Sequence, residues 1–96
     1  MDVKGGCYCG NIRFEAKGEP KMLQCHCREC QYITGGHPNA ITVWPQENVK
    51  FTKGEFKEFR RSDIKQPVTR IFCGNCGTGI GTYKHPIRKG MILLKV

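Results

Sequence analysis

Apolar residues recur at every second position through much of this chain. In residues 11–16, Ile12, Phe14 and Ala16 fall on one face. Residues 40–44 and 49–52 repeat the pattern, and residues 56–61 do so more weakly. In residues 68–73, Val68, Arg70 and Phe72 oppose Thr69, Ile71 and Cys73. Residues 80–83 and 91–96 complete the set. A period of two with frequent β-branched and aromatic residues predicts strands. Turn signals separate them: Gly18-Glu19-Pro20, Lys53-Gly54, Gln66-Pro67, Gly74-Asn75, His85-Pro86 and Lys89-Gly90. Only residues 28–33 suit a helix, of one or two turns. The expected fold is mainly β, a small β-sheet domain with at most one short helix and with its cysteines in loops.

No repeat, low-complexity tract or linker divides the 96 residues, so residues 1–96 read as one domain. A domain of this size buries a modest core and commonly needs extra ties. No apolar run approaches the length of a membrane span. The start, Met1-Asp2-Val3-Lys4, lacks the apolar core of a signal peptide. The expected location is therefore cytoplasmic, where thiols stay reduced and clustered cysteines more often bind metal. The last segment stays apolar up to Val96, which suits either a terminal strand or a truncated chain.

Seven cysteines supply the ties, and an odd count excludes a scheme of disulfides alone. They form three clusters: Cys7-Tyr8-Cys9, Cys25-His26-Cys27-Arg28-Glu29-Cys30, and Cys73-Gly74-Asn75-Cys76. A CxxC loop with an internal glycine is a zinc knuckle that aims two sulfurs at one point, and a closed tetrahedral site needs four. Cys7 and Cys9 are the natural second pair. Sulfurs on a tetrahedral zinc lie about 3.8 Å apart, whereas alternate residues of a flat strand sit about 6.5 Å apart. The CxC segment must therefore bend, and Gly5, Gly6 and Gly10 offer the freedom to do so. Cys7, Cys9, Cys73 and Cys76 read as a structural zinc site.

Cys25, Cys27 and Cys30 remain. Three protein ligands with one open position is the pattern of a catalytic zinc. Three thiolates on Zn²⁺ make a poor Lewis acid for water but suit a fourth soft ligand, such as a substrate thiolate. The alternative is a site closed by His37, seven residues after Cys30 across Gly35-Gly36. A redox dithiol at Cys73 and Cys76 would call for a βαβ context that this chain lacks.

The formal charge is +8. Seven thiolates holding two Zn²⁺ would take three charges off that, leaving about +5. A basic surface suits an anionic substrate or nucleic acid. Arg28, Arg60, Arg61, Lys65 and Arg70 are candidates to hold carboxylates. The run Phe56-Lys57-Glu58-Phe59-Arg60-Arg61 mixes basic and aromatic residues as nucleic-acid binders do, though any alternating strand produces such a run. Trp44 and Phe72 read as core, His26 as pointing away from its flanking ligands, and His85 as an exposed turn residue.

On these residues the chain resembles the glutathione-dependent formaldehyde-activating enzyme family, which includes centromere protein V-like members. The matching segments are Gly5-Gly6-Cys7-Tyr8-Cys9-Gly10, Cys25-His26-Cys27-Arg28-Glu29-Cys30-Gln31, Thr52-Lys53-Gly54-Glu55 and Phe72-Cys73-Gly74-Asn75-Cys76-Gly77. The resemblance implies an Mss4-like fold, a structural zinc at Cys7, Cys9, Cys73 and Cys76, and a catalytic zinc at Cys25, Cys27 and Cys30. It implies carbon–sulfur lyase chemistry that joins glutathione and formaldehyde into S-hydroxymethylglutathione, or the reverse. Members usually run some tens of residues past the position of Val96, and residues 34–39 depart from the family's small-residue pattern.

The leading expectation is a zinc-dependent carbon–sulfur lyase with two zinc ions per chain, acting on a small thiol adduct such as one of glutathione. The competing expectation is a non-catalytic zinc module whose basic surface binds nucleic acid or protein. Neither involves a membrane.

Overall fold

The computed structural model describes residues 2–85 and 88–95. Among these, nine strands pair, and every pairing is antiparallel: β1 Asp2–Gly6, β2 Arg13–Lys17, β3 Lys21–Cys25, β4 Asn39–Pro45, β5 Val49–Lys53, β6 Lys57–Phe59, β7 Thr69–Phe72, β8 Gly79–Tyr83 and β9 Met91–Lys95. A single helix, α1 Arg28–Thr34, follows β3, and one 3-10 turn spans Gln46–Asn48. The chain is mainly β, as the alternation indicates. Pro86 of the expected His85-Pro86 turn and Val96 of the expected last strand lie outside the described residues.

Strands β1, β2 and β5 make a three-stranded sheet in that order. The other six form a second sheet ordered β3-β4-β9-β8-β7-β6. The alternating faces read from the sequence are the buried ones. Ile12, just before β2, and Phe14 and Ala16 within it enter the core, while Thr69, Ile71 and Cys73 do so from β7 and its end. Trp44, Ile92 and Leu94 join them in the main cluster. Leu93 points the other way and meets Ile41 and Val43 in a smaller cluster with Leu23 and Met91. Strands β4 and β9 are adjacent inside the larger sheet and are covered on both faces. Consecutive residues 41–44 and 92–94 are therefore buried, where the sequence pattern predicts a period of two.

Two strands are absent from the sequence reading, β1 and β3. Both are edge strands, with only one neighbour each. Each has few buried positions, so the ladder of the neighbouring strand rather than an apolar face holds them. An aromatic row, Phe14–Phe51–Phe56–Tyr83, with ring centroids 5.0–5.9 Å apart, runs from the smaller sheet to β8 of the larger one.

Candidate metal centres

The first cysteine pair sits in the loop between β1 and β2. Backbone bonds from Cys7 N–H to Ile12 O (3.1 Å) and from Gly10 N–H to Cys7 O (3.3 Å) fold that loop tightly. Gly10, at φ 84°, supplies the left-handed turn. The expected role of Gly5 and Gly6 in bending the segment does not hold, because both lie within β1. Gly6 instead makes room: a Cβ there would stand 2.1 Å from the carbonyl oxygen of Ile12. The bend brings Cys7 Sγ and Cys9 Sγ to 3.5 Å, near the tetrahedral edge of about 3.8 Å.

The second pair follows β7, across the core. Cys9 Sγ lies 3.7 Å from Cys73 Sγ. The sulfurs of Cys7, Cys9, Cys73 and Cys76 all lie within 4.8 Å of one another. Separations of 3.5 and 3.7 Å are far longer than a disulfide of about 2.05 Å, and all seven cysteines are free. Backbone amides point at the sulfurs. Ile12 N–H donates to Cys7 (3.2 Å), and Asn75 and Cys76 N–H donate to Cys73 (3.4 and 3.5 Å). Thr78 joins the halves: its hydroxyl accepts from Tyr8 N–H at 3.2 Å and lies 3.1 Å from Cys76 Sγ.

These contacts set the acidity of the thiols. The Thr78 hydroxyl and amide bring Cys76 down to about 5. Burial opposes ionisation of Cys7, but the Ile12 amide and the thiols of Cys9 and Cys73 outweigh it and lower its pKa. At Cys73 the amides of Cys76 and Asn75 favour the thiolate. Burial and the thiols of Cys76 and Cys7 overcome them, so its pKa rises. Four soft donors within 4.8 Å of one another, with amides directed at the charge, fit Zn²⁺ held in a closed site.

The second cluster is assembled where β3 meets α1. Cys25 ends β3, and the ladder sets it opposite Asn39, the first residue of β4. Cys27 caps α1, its sulfur accepting from Cys30 N–H at 3.4 Å. Cys30 lies buried in the first turn of α1, and Asn39 Nδ2 donates to its sulfur at 3.7 Å. The sulfurs of Cys25, Cys27 and Cys30 lie within 4.8 Å of one another. Among the described residues no histidine, carboxylate or further cysteine joins them. His37 is exposed and stands outside the group. His26 is exposed too, and its carbonyl accepts from Gln31 Nε2 at 2.8 Å. The Cys30 amide leads in lowering the pKa of Cys27. Burial, helped by the thiols of Cys25 and Cys27, pushes Cys30 up to about 12. Three thiols with one exposed member fit a metal that keeps a coordination position for an outside ligand.

The arginines named from the sequence divide. Arg61 pairs with Glu29 at 2.9 Å and with Asp63 at 2.6 Å, and Arg70 reaches the other oxygen of Glu29 at 3.5 Å. Arg28, Arg60 and Lys65 are exposed. In the mixed run at residues 56–61, Phe56 packs into the aromatic row and Arg61 is ion-paired, so the run is not a free basic stripe. Trp44 is core, its Nε1–H donating to Thr42 Oγ1 at 2.7 Å, and Phe72 is half-buried.

Two cavities, each of about 210 Å³, are lined by residues next to the second cluster, Glu29 in one and Asn39 in the other, though by none of its three cysteines. One is walled by Asn39 and Ile41 with Ile33, Phe59 and Arg70, and the other shares those last three residues. A larger cavity of about 570 Å³ has Val3, Trp44 and Leu94 in its wall and no cysteine. Asn39 is the site residue that sequence reasoning missed. Nothing in its local pattern marks it, because its role comes from the β3–β4 register.

The fold and the two sulfur clusters define a small β protein with two candidate metal centres. Residues 2–96 match the family model of the glutathione-dependent formaldehyde-activating enzymes, and the chain belongs to that family. It is 32% identical over 85 residues to an uncharacterized lyase of Schizosaccharomyces pombe (strain 972 / ATCC 24843). That alignment covers 80% of this chain and 54% of the yeast protein, so the chain spans about half the length of that curated relative. No helix among the described residues is long and apolar enough to cross a membrane.

Proposed function

We propose that this chain is a zinc-dependent carbon–sulfur lyase acting on a thiol adduct, with glutathione as the thiol after which its family is named. Cys7, Cys9, Cys73 and Cys76 would hold a structural zinc, and Cys25, Cys27 and Cys30 a catalytic one. The observation that carries the reading is the second cluster: three sulfurs within 4.8 Å of one another, one of them on exposed Cys27, and no fourth ligand among the described residues. A zinc bound there would accept the substrate sulfur as a thiolate and so favour its departure from carbon.

The chain's own residues have separate tasks. The Cys30 amide favours the Cys27 thiolate. Asn39 fixes the sulfur of Cys30. Arg70 stands in the wall of both neighbouring cavities, partly screened by Glu29. The reaction needs no oxidant. In S-hydroxymethylglutathione the carbon–sulfur bond breaks with its electron pair staying on sulfur, the hydroxyl loses its proton, and formaldehyde and the thiolate result. Addition is the reverse. Free thiols on both clusters suit a reducing compartment such as the cytoplasm.

Exchange between glutathione, formaldehyde and their adduct, followed by NMR, tests the proposal. Zinc-loaded protein should accelerate exchange, and Cys27→Ser should abolish the effect while keeping a strand-rich circular dichroism spectrum. Equal exchange with and without the loaded protein would contradict it.

A further inference from the structure

The cleft beyond the second cluster is apolar where a glutathione site would be expected to be cationic. Its wall is built from Tyr32, Ile33, Phe59, Ile64, Pro67 and Val68. Four of these are exposed apolar or aromatic side chains, Tyr32 at 79% and Phe59 at 58%. Such groups are ordinarily covered when they gather in one place. The two cations in the wall, Arg61 and Arg70, are both engaged by Glu29, and Arg61 by Asp63 as well. The cleft therefore offers little net positive charge to a second carboxylate.

Its position ties it to the cysteines. Ile33 lies three residues after Cys30 in α1, so their Cβ atoms are about 5–6 Å apart on one side of the helix. Asn39, which holds the Cys30 sulfur, walls the second cavity, which shares Ile33, Phe59 and Arg70 with the cleft. A group bonded to a sulfur at Cys25, Cys27 and Cys30 thus has an apolar groove beginning one helical turn away.

Resting on the thiol-adduct reading above, we propose that this groove takes the carbon substituent of the adduct, and that the substrates are adducts of apolar aldehydes larger than formaldehyde. The atoms balance as before: RCH(OH)–SR′ gives RCHO and R′SH. The carbon–sulfur bond breaks toward sulfur, the hydroxyl proton leaves, and the thiolate takes up a proton from water.

Such adducts reverse in solution, so stable thioethers serve as probes. Zinc-loaded protein is titrated calorimetrically with S-hexylglutathione and S-methylglutathione. The hexyl compound should bind at least about tenfold more tightly, since burying two of its five additional methylenes suffices for that. Phe59→Ser and Ile64→Ser, both at exposed positions, should each reduce that ratio toward one with an unchanged circular dichroism spectrum. Equal affinity of the two compounds for the wild type overturns the inference and leaves the thiol-adduct reading standing. Failure of both to bind removes the reading and the inference with it. A hexyl preference unaffected by either variant overturns the groove assignment. So does a concentration-dependent dimer, seen by sedimentation, that Phe59→Ser dissociates, because the groove would then be covered by a second copy.

Discussion

The side-chain amide of Asn39 donates to the sulfur of Cys30 across 3.7 Å, while its own carbonyl oxygen is buried without a partner among the described residues. An unpaired buried carbonyl costs about 1–3 kcal/mol, which stability alone does not explain. The amide is worth that cost if it orients a metal ligand. Asn39→Leu keeps the volume and removes both groups. Urea unfolding should show equal or greater stability, while chelator competition should show the second site holding its metal about 10–100-fold more weakly. Equal affinity in the two proteins would leave Asn39 with no role in the site.

The two clusters should respond oppositely to loss of one sulfur. Cys73 is core, at 2% exposure, and Cys76 packs against the same cluster. A structural zinc contributes about 10 kcal/mol or more to folding, comparable to the whole stability of a small domain. Cys76→Ala should therefore unfold the protein, and Cys27→Ser should leave the fold intact. Circular dichroism and thermal unfolding of the two variants decide this. A folded Cys76→Ala protein would contradict the structural role.

Gly6 is occupied by proximity rather than flexibility. Since an added Cβ would stand 2.1 Å from a backbone oxygen, Gly6→Ala must push β1 away from the Cys7 loop. Overpacking of this kind costs about 1–3 kcal/mol. Denaturant unfolding should show a loss of that size, and metal retention at the first site should fall with it.

Tyr83 reports on the contact between β8 and β6. Burial first, and its hydrogen bond to Glu58 second, push its hydroxyl up to about 12 from an ordinary value near 10. The folded state thus favours the protonated form. The resulting stability is fully present below about pH 10 and is lost as pH rises through about 12. Ultraviolet titration should show one tyrosine ionising late, and Glu58→Gln should bring it partway back.

Strands with one buried face were legible because alternation is a direct imprint of burial, as at Ile12, Phe14 and Ala16. Strands β1 and β3 were not, because neither has a fully buried residue to mark a face. The grouping of Cys7, Cys9, Cys73 and Cys76 was readable from ligand chemistry, although the pairs stand 64 residues apart. The grouping of Cys25, Cys27 and Cys30 was local and easier. Asn39 and the Glu29–Arg61–Arg70 cluster were out of reach, since strand register and tertiary approach create them. Gly6 was visible as a glycine, but its reason was not: backbone proximity leaves no sequence mark distinct from flexibility.

On the proposed function, Cys25, Cys27 and Cys30 form an open, thiol-accepting metal site. Replacing zinc with cobalt makes it visible, because thiolate-to-cobalt absorption reports the number of sulfurs bound. Titration with glutathione should produce a saturable increase in that absorption, and Cys27→Ser should eliminate it. A spectrum that stays unchanged with two metals bound would mean that the second site accepts no outside thiol, and the lyase reading would be contradicted.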